Sequence, residues 1–313
     1  MEGLFLLNKP TNIPSAAFLN KFKKIIEEKT GEKDKTGHGG TLDKFAEGLL
    51  IVGVSRHFTR LLPLFLKNSK KEYEAEIEFG KTTDTLDPEG KLLTASKKIP
   101  SKKEIIETLK SFPLNSPFPQ IAPLFSAKKI SGRRSSDLAR QNIKPEAKKS
   151  EVILYDFSVI NYSPPILKIH LLVSSGFYIR SFAHDLAKKL SSDAYLKNLI
   201  RTKIIANEKT YSLKNALSLE NLENSITLTG TIFGLVQGVG FRAFLRQKMS
   251  ELNLVGTAAN LPDDFLEFSA TGLLSALSNL ETQAKLGPPS VKVSNSFFLF
   301  SKNTKHLNKK RLS

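Results

Sequence analysis

One carboxylate, Asp43, closes the glycine-rich run Gly37-His38-Gly39-Gly40-Thr41-Leu42, with Ala46, Gly48 and Leu49 just beyond it. Glycines at that density allow backbone to approach a ligand closely. A carboxylate behind them can cap a helix or fix a turn. Spacing alone leaves both readings open. A second cluster lies near the C-terminus. There Gly234-Leu235-Val236-Gln237-Gly238-Val239-Gly240-Phe241-Arg242 sets glycines in a strand-to-helix turn that ends in arginine. Amides of such a turn, with the helix N-terminus, form an anion cradle, and an arginine at its rim grips phosphate oxygens as a fork. The bland alternative is a tight turn with an exposed arginine. The chain has no cysteine, which excludes thiolate nucleophiles, thiolate metal sites and disulfides.

Periodicity shows the elements that must carry these clusters. Residues 3–7 are an apolar run ending at Asn8-Lys9-Pro10, a strand entering a turn. Ser15 stands where a helix cap would, ahead of Phe18, Phe22 and Ile25 on one face. From Glu72 to Phe79 four glutamates alternate with Tyr73, Ala75, Ile77 and Phe79, the pattern of a half-buried strand. Ser101 and Glu104 form a capping box before Ile105, Ile106 and Leu109. Strands are predicted at 152–160 and 166–173, then a helix near 181–190. Residues 113–150 are rich in Pro, Ser, Lys and Arg and read as a long loop, which in a compact domain is more often functional than structural. After Leu222 the pattern restarts: strand 227–235, helix 242–252, strands near 254–259 and 265–271, helix 273–284, strand 291–300. That order, β-α-β-β-α-β, is the split βαβ arrangement.

The 313 residues carry 47 Lys+Arg against 30 Asp+Glu, a formal charge of +17. Residues 227–301 hold five of each sign and are neutral, residues 302–313 add +5, and residues 1–226 hold the remaining +12. An excess of this size most simply means a polyanion partner, because Lys and Arg displace counterions condensed on phosphates. Its uneven placement predicts two domains with different partners. With no run of 18 apolar residues and no charged-then-apolar leader, the chain reads as soluble and cytoplasmic, without a membrane partner.

Several motifs in order carry a resemblance. Asn8-Lys9-Pro10; Gly37 to Leu49; Lys71-Glu72-Tyr73 with Gly80, Thr83-Asp84-Thr85 and Asp87; Pro123 to Lys129 with Gly132 and Arg133; Gly176-Phe177-Tyr178-Ile179-Arg180 with Asp185-Leu186; and Leu199-Ile200-Arg201-Thr202 resemble the successive motifs of the TruB family of tRNA pseudouridine synthases. The resemblance covers residues 3 to about 220. It implies cofactor-free isomerisation of a T-loop uridine in tRNA. Asp43 is the implied essential carboxylate, attacking the flipped nucleotide at the sugar or at the base. Arg180 would hold it charged and aimed, and Tyr73 would stack on the base and serve the final proton transfer. Tyr178 and Leu199 are implied pocket walls, Asp87 an orienting group for Tyr178 or Arg180, and His38 a contact to neighbouring flipped-out nucleotides. A uridine in a folded loop must be extruded to react, and residues 113–150, with Lys128, Lys129, Arg133, Arg134 and Arg140, are the candidate clamp over RNA. The chain departs from the family at Lys44, Ala122, Phe125 and Ile204-Ile205.

The glycine turn at 234–242 is followed by Gly256-Thr257-Ala258-Ala259-Asn260-Leu261-Pro262 and Gly287-Pro288-Pro289. With the strand and helix order, residues 225–301 resemble an acylphosphatase. The resemblance implies that Arg242 binds a phosphoryl group and Asn260 orients the attacking water, with an acyl phosphate as substrate. The family's Asp-Gly turn is Asp263-Asp264 here. The expected architecture is α+β. A mixed/antiparallel-sheet synthase domain (1–222) precedes an independent, small ferredoxin-like domain (225–301) and a basic tail (302–313), and the protein is expected to act as a monomer, without cofactor or metal. Two alternatives stay open: a non-catalytic tRNA-binding or folding protein, and an acylphosphatase whose larger domain targets RNA.

Overall fold

The computed structural model describes residues 1–123, 129–130, 133–134, 149–289 and 291–302. The first half contains β1 (Gly3–Lys9), α1 (Ser15–Thr30), β2 (Thr36–Gly39), β3 (Glu47–Val54), α2 (Arg56–Leu66), β4 (Lys70–Phe79), β5 (Lys81–Thr83), β6 (Leu92–Ala95), α3 (Lys102–Lys110), β7 (Pro117–Ile121), β8 (Lys129–Ile130) and β9 (Arg133–Arg134). Then come β10 (Lys149–Ser163), β11 (Ile166–Ser174), α4 (Ile179–Lys189), β12 (Ala194–Ala206) and β13 (Lys209–Ser212). The last part holds β14 (Ile226–Gly234), α5 (Phe241–Glu251), β15 (Val255–Leu261), β16 (Phe265–Gly272), α6 (Leu274–Leu286) and β17 (Val293–Ser301). The fold is α+β. Among the described residues no helix is long and apolar enough to cross a membrane, and no cluster of His, Asp or Glu could hold a metal. Most of the expected RNA clamp, including Lys128 and Arg140, and the tail from 303 onward lie outside the described residues.

The chain forms two compact units, Met1–Leu42 with Gly48–Leu66 and Tyr211–Ser313, and Asp43–Glu47 with Lys67–Thr210. In the first unit the strands run β15-β16-β14-β17-β1-β3, with β2 beside β3. The segment from β14 to β17 has the expected β-α-β-β-α-β order. Its last strand is not an edge, however: β17 pairs in parallel with β1, Leu4 opposite Leu299 and Phe5 opposite Phe300. The Phe5 ring stacks on Phe300 at 4.3 Å and meets Phe22 edge-on at 5.1 Å. Phe18, Phe22 and Ile26 of α1 therefore share one core with Leu228, Leu245, Leu277 and Phe298. No unit boundary falls at 222–225. The physical reason lies in β1, where residues 3–7 are all buried, so both faces of the strand need cover.

Two local expectations change. Ser15 does not cap α1: Pro14 holds that position, and Ser15 Oγ donates to Leu42 O at 2.7 Å while accepting from Leu42 N at 3.1 Å. It anchors the backbone just ahead of Asp43. The glycines before Asp43 are not a ligand-cradling loop, since Gly37, His38 and Gly39 are strand β2, paired with β3. A Cβ on Gly39 would lie 2.2 Å from Leu66 Cδ1, so a larger residue there would have to displace the Leu66 side chain of α2.

In the second unit the sheet runs β12-β4-β11-β10-β7, antiparallel throughout, and α4 packs on β4, β7 and β12. The predicted alternation holds along β4. Lys71, Tyr73, Ala75, Ile77 and Phe79 are buried, and two glutamates on the opposite face pair with cations of the flanking strands, Glu74 with Lys168 and Glu78 with Lys197. α3 opens with the predicted box, Glu104 N donating to Ser101 Oγ and Ser101 N to Glu104 Oε2.

Candidate active site

Three of the sequence-predicted residues meet at one guanidinium. Arg180, the second residue of α4, keeps a side chain only 4% exposed. A buried guanidinium is tolerable only when paired. Its Nη2 donates to Asp43 Oδ1 at 3.1 Å, and its Nε lies 2.9 Å from Asp43 Oδ2 as an ion pair. Nη1 faces the other way, donating to Asp87 Oδ2 at 3.1 Å and to Thr85 O at 2.9 Å. Exposure separates the two acids. The Asp87 side chain is 6% exposed and Asp43 is 38% exposed. Asp87 is the anchor, and Asp43 is the carboxylate a substrate can reach. Of the two orienting roles implied for Asp87, the geometry fits the one toward Arg180.

Asp87 is itself held by the Thr-Asp-Thr loop. Thr85 Oγ1 donates to Asp87 Oδ1 at 2.6 Å, and Glu89 N donates to the same oxygen at 3.0 Å. Burial pushes the Asp87 carboxyl up from its ordinary value, against the downward pull of Thr85 and Arg180. Thr83 Oγ1 donates to Asp87 O at 2.7 Å and accepts from Asp87 N at 3.1 Å. Thr83→Val would remove the Asp87 N partner and leave Asp87 O only the long contacts from Thr85 Oγ1 and Gly90 N at 3.4 Å, so we expect a loss of roughly 1–3 kcal/mol in urea unfolding. An unchanged midpoint would show that water replaces the hydroxyl. Lys44, where the family pattern has proline, pairs with Glu89 at 2.7 Å and so ties the Asp43 segment to the Asp87 loop.

Tyr73 and Leu199 lie on one buried face, Tyr73 opposite Arg201 and Ala75 opposite Leu199 in the β4–β12 register. Arg201, quoted from its motif without a role, is 1% exposed. Lys71, two residues before Tyr73, donates from Nζ to Ser175 Oγ at 3.1 Å. Burial, helped by the Arg201 charge, lowers its ammonium to about 8. Tyr178 stands at the N-cap of α4 and is bonded through its backbone to Gln120, a residue the sequence reading passed over. In a proline-rich stretch Gln120 reads as solvated, and no periodicity marks it as buried. His38 belongs to β2 in the first unit, opposite Val52.

The second constellation lies on the ferredoxin-like segment. Gly238 and Gly240 have φ of +71° and +76°, a backbone that L side chains adopt only with strain, and Gly240 caps α5. Arg242, the second residue of α5, is exposed beside that turn. Asn260 lies on β15, and its Oδ1 is buried without a hydrogen-bond partner among the described residues. Asp263 and Asp264 both take positive φ, so the hairpin turn closes without the family's glycine.

Comparison with known proteins places these features. Residues 23–179 match the model of the TruB family pseudouridylate synthase (N terminal domain), and residues 228–309 match the acylphosphatase model. The tRNA pseudouridine synthase B of Chlamydia abortus is 38% identical over 200 residues, 64% of this chain and 81% of that one. Its counterpart in Protochlamydia amoebophila is 37% identical over 232 residues, 72% of this chain and 84% of that one. Among solved structures, a Cbf5-Nop10-Gar1 complex aligns with a TM-score of 0.51 and 24% identity, over 70% of this chain and 53% of that chain, which shows the fold. The ferredoxin-like C-terminal segment is an acylphosphatase-type domain by its family model and its strand order.

Proposed function

Because the chain belongs to the TruB family of pseudouridylate synthases, we propose that it converts a T-loop uridine of tRNA to pseudouridine, with Asp43 as the essential carboxylate. One observation supports this above the rest: a partly exposed Asp43, paired with a buried arginine whose Nη1 is held from behind by Asp87 and Thr85. That arrangement fixes the direction of the carboxylate. It also argues against a non-catalytic RNA-binding role, which has no need of an aimed carboxylate.

The isomerisation is atom- and redox-neutral. The C1′–N1 bond breaks, the base turns, C1′–C5 forms, N1 gains a proton and C5 loses one. Asp43 supplies the negative charge that assists departure of the base. Tyr73, on the buried face that also carries Leu199, supplies a ring to stack on the base and a hydroxyl for the last proton transfer. The excess of positive charge on residues 1–226 attracts the RNA. The test is to map pseudouridine in a tRNA transcript with and without the protein. Conversion at a single T-loop uridine is expected, and conversion elsewhere or none would overturn the reading.

For the C-terminal domain we propose acyl-phosphate hydrolysis, supported by the unpartnered Asn260 Oδ1, which can accept a hydrogen bond from water, and by Arg242 beside the glycine turn. Arg242→Ala is expected to remove hydrolysis of a model acyl phosphate by at least about 100-fold and to leave pseudouridine formation unchanged. A parallel loss of both activities would show that the two sites are coupled.

A further inference from the structure

Gln120, in β7, is 1% exposed, and its carboxamide meets the backbone of Tyr178 twice. Nε2 donates to Tyr178 O at 3.1 Å, and Tyr178 N donates to Oε1 at 2.7 Å. One side chain thus supplies the donor and acceptor that a neighbouring strand would supply. The location matters. At Tyr178 the chain passes from extended backbone (φ −103°, ψ 109°) into α4, and the tyrosine side chain offers no cap of its own. A third bond follows, Ser181 Oγ donating to Ile121 O at 2.6 Å. Consecutive residues of β7 therefore grip the chain on both sides of Arg180, and β10 braces β7, with Gln120 opposite Ser150. Asp87 and Thr85 hold the guanidinium end of Arg180, and β7 holds its backbone end.

We propose that Gln120 is a positioning residue for the synthase reaction, fixing the Tyr178–Arg180 backbone so that Arg180 presents Asp43 in its reactive direction. The proposal rests on the synthase reading above. Displacements of about 1 Å at a catalytic group cost on the order of 100-fold in rate, so a loosened clasp shows in the chemical step before it shows in binding.

The test uses the full chain with Gln120→Met, which keeps the volume but removes both hydrogen bonds, and Gln120→Glu, which sets a carboxylate oxygen against Tyr178 O. Single-turnover rates on a T-loop tRNA transcript are expected to fall about 10- to 100-fold in both variants, with tRNA affinity within about two-fold and melting still cooperative. A purely structural role would not produce the pH signature expected of Gln120→Glu. As pH falls from about 8 to about 5.5, the new carboxyl gains a proton, can donate to Tyr178 O again, and its rate should approach the native rate. Rates within two-fold of native, or a deficit that is flat with pH and equal to the unfolded fraction, would overturn the proposal. Hydrogen exchange at the Tyr178 amide separates the clasp from the synthase reading. Exchange unchanged by Gln120→Met removes the clasp, whereas faster exchange in a chain whose native form makes no pseudouridine removes the synthase reading.

Discussion

An Asp43→Asn chain should form no detectable pseudouridine while binding a tRNA transcript within a few-fold of the native protein. The amide keeps the size of the carboxylate and one acceptor oxygen for Arg180, and Asp87 with Thr85 continues to hold the guanidinium. What disappears is the negative charge that the proposed mechanism needs. Asp87, its carboxylate already bonded by Arg180, Thr85 and Glu89 N, is not free to take its place. The single-turnover rate is therefore expected to drop by at least about 10⁴-fold, about 5 kcal/mol of transition-state stabilisation. Arg180→Lys keeps a positive charge but loses the planar guanidinium, so it should fall between the Asn variant and the native chain. A rate for Asp43→Asn within ten-fold of native would remove Asp43 from the chemistry and leave its contact with Arg180 as a purely structural ion pair.

Local features were legible and long-range ones were not. The alternation of β4, the capping box of α3 and the strand and helix order after Leu222 appear in the sequence because each depends on side chains a few residues apart. The contact between Asp43 and Arg180 joins residues 137 apart, and no spacing rule reaches that far. Those residues came from motif resemblance, which marks types and positions without showing what Asp87 grips or that Gln120 is buried. Ser15 shows the opposite failure. Its type suits a helix cap, but Pro14, with φ fixed by its ring, takes the cap position and frees the hydroxyl for Leu42. The glycines before Asp43 suggested a ligand loop by composition, yet Gly39 answers to the approach of Leu66. Parallel pairing of β1 with β17 was the least accessible of all, since it joins Leu4 to Leu299 and no local pattern selects so distant a partner.

That pairing sets the second large effect. From charge alone, a chain cut after Leu222 should lose little RNA affinity, because residues 1–222 keep a net +13. The structure leads to the opposite expectation for the first unit. The cut removes β17, which covers one edge of β1, and removes Phe298 and Phe300 from the core that contains Phe5, Phe18, Phe22 and Ile26. Uncovering four side chains of this size forfeits roughly 1.5–3 kcal/mol each, about 6–12 kcal/mol in all, which matches the whole stability of a typical domain, about 5–15 kcal/mol. Leu217, which stays, still bonds to β1 through Asn8 N and Leu6 O at 2.8 Å, but the Phe5 ring loses its stacking partner Phe300. The exposed edge of β1 would also be free to pair with other chains. Residues 1–222 expressed alone are therefore expected to aggregate or to melt without a cooperative transition, and to lose pseudouridine formation even though Asp43, Arg180 and Asp87 are all retained. Adding residues 223–313 as a separate polypeptide should restore part of both, since the missing strand can dock on the edge it left. A truncated chain that unfolds cooperatively near the native melting temperature would instead make the C-terminal domain dispensable to the fold, and the β1–β17 pairing a contact of little energetic weight.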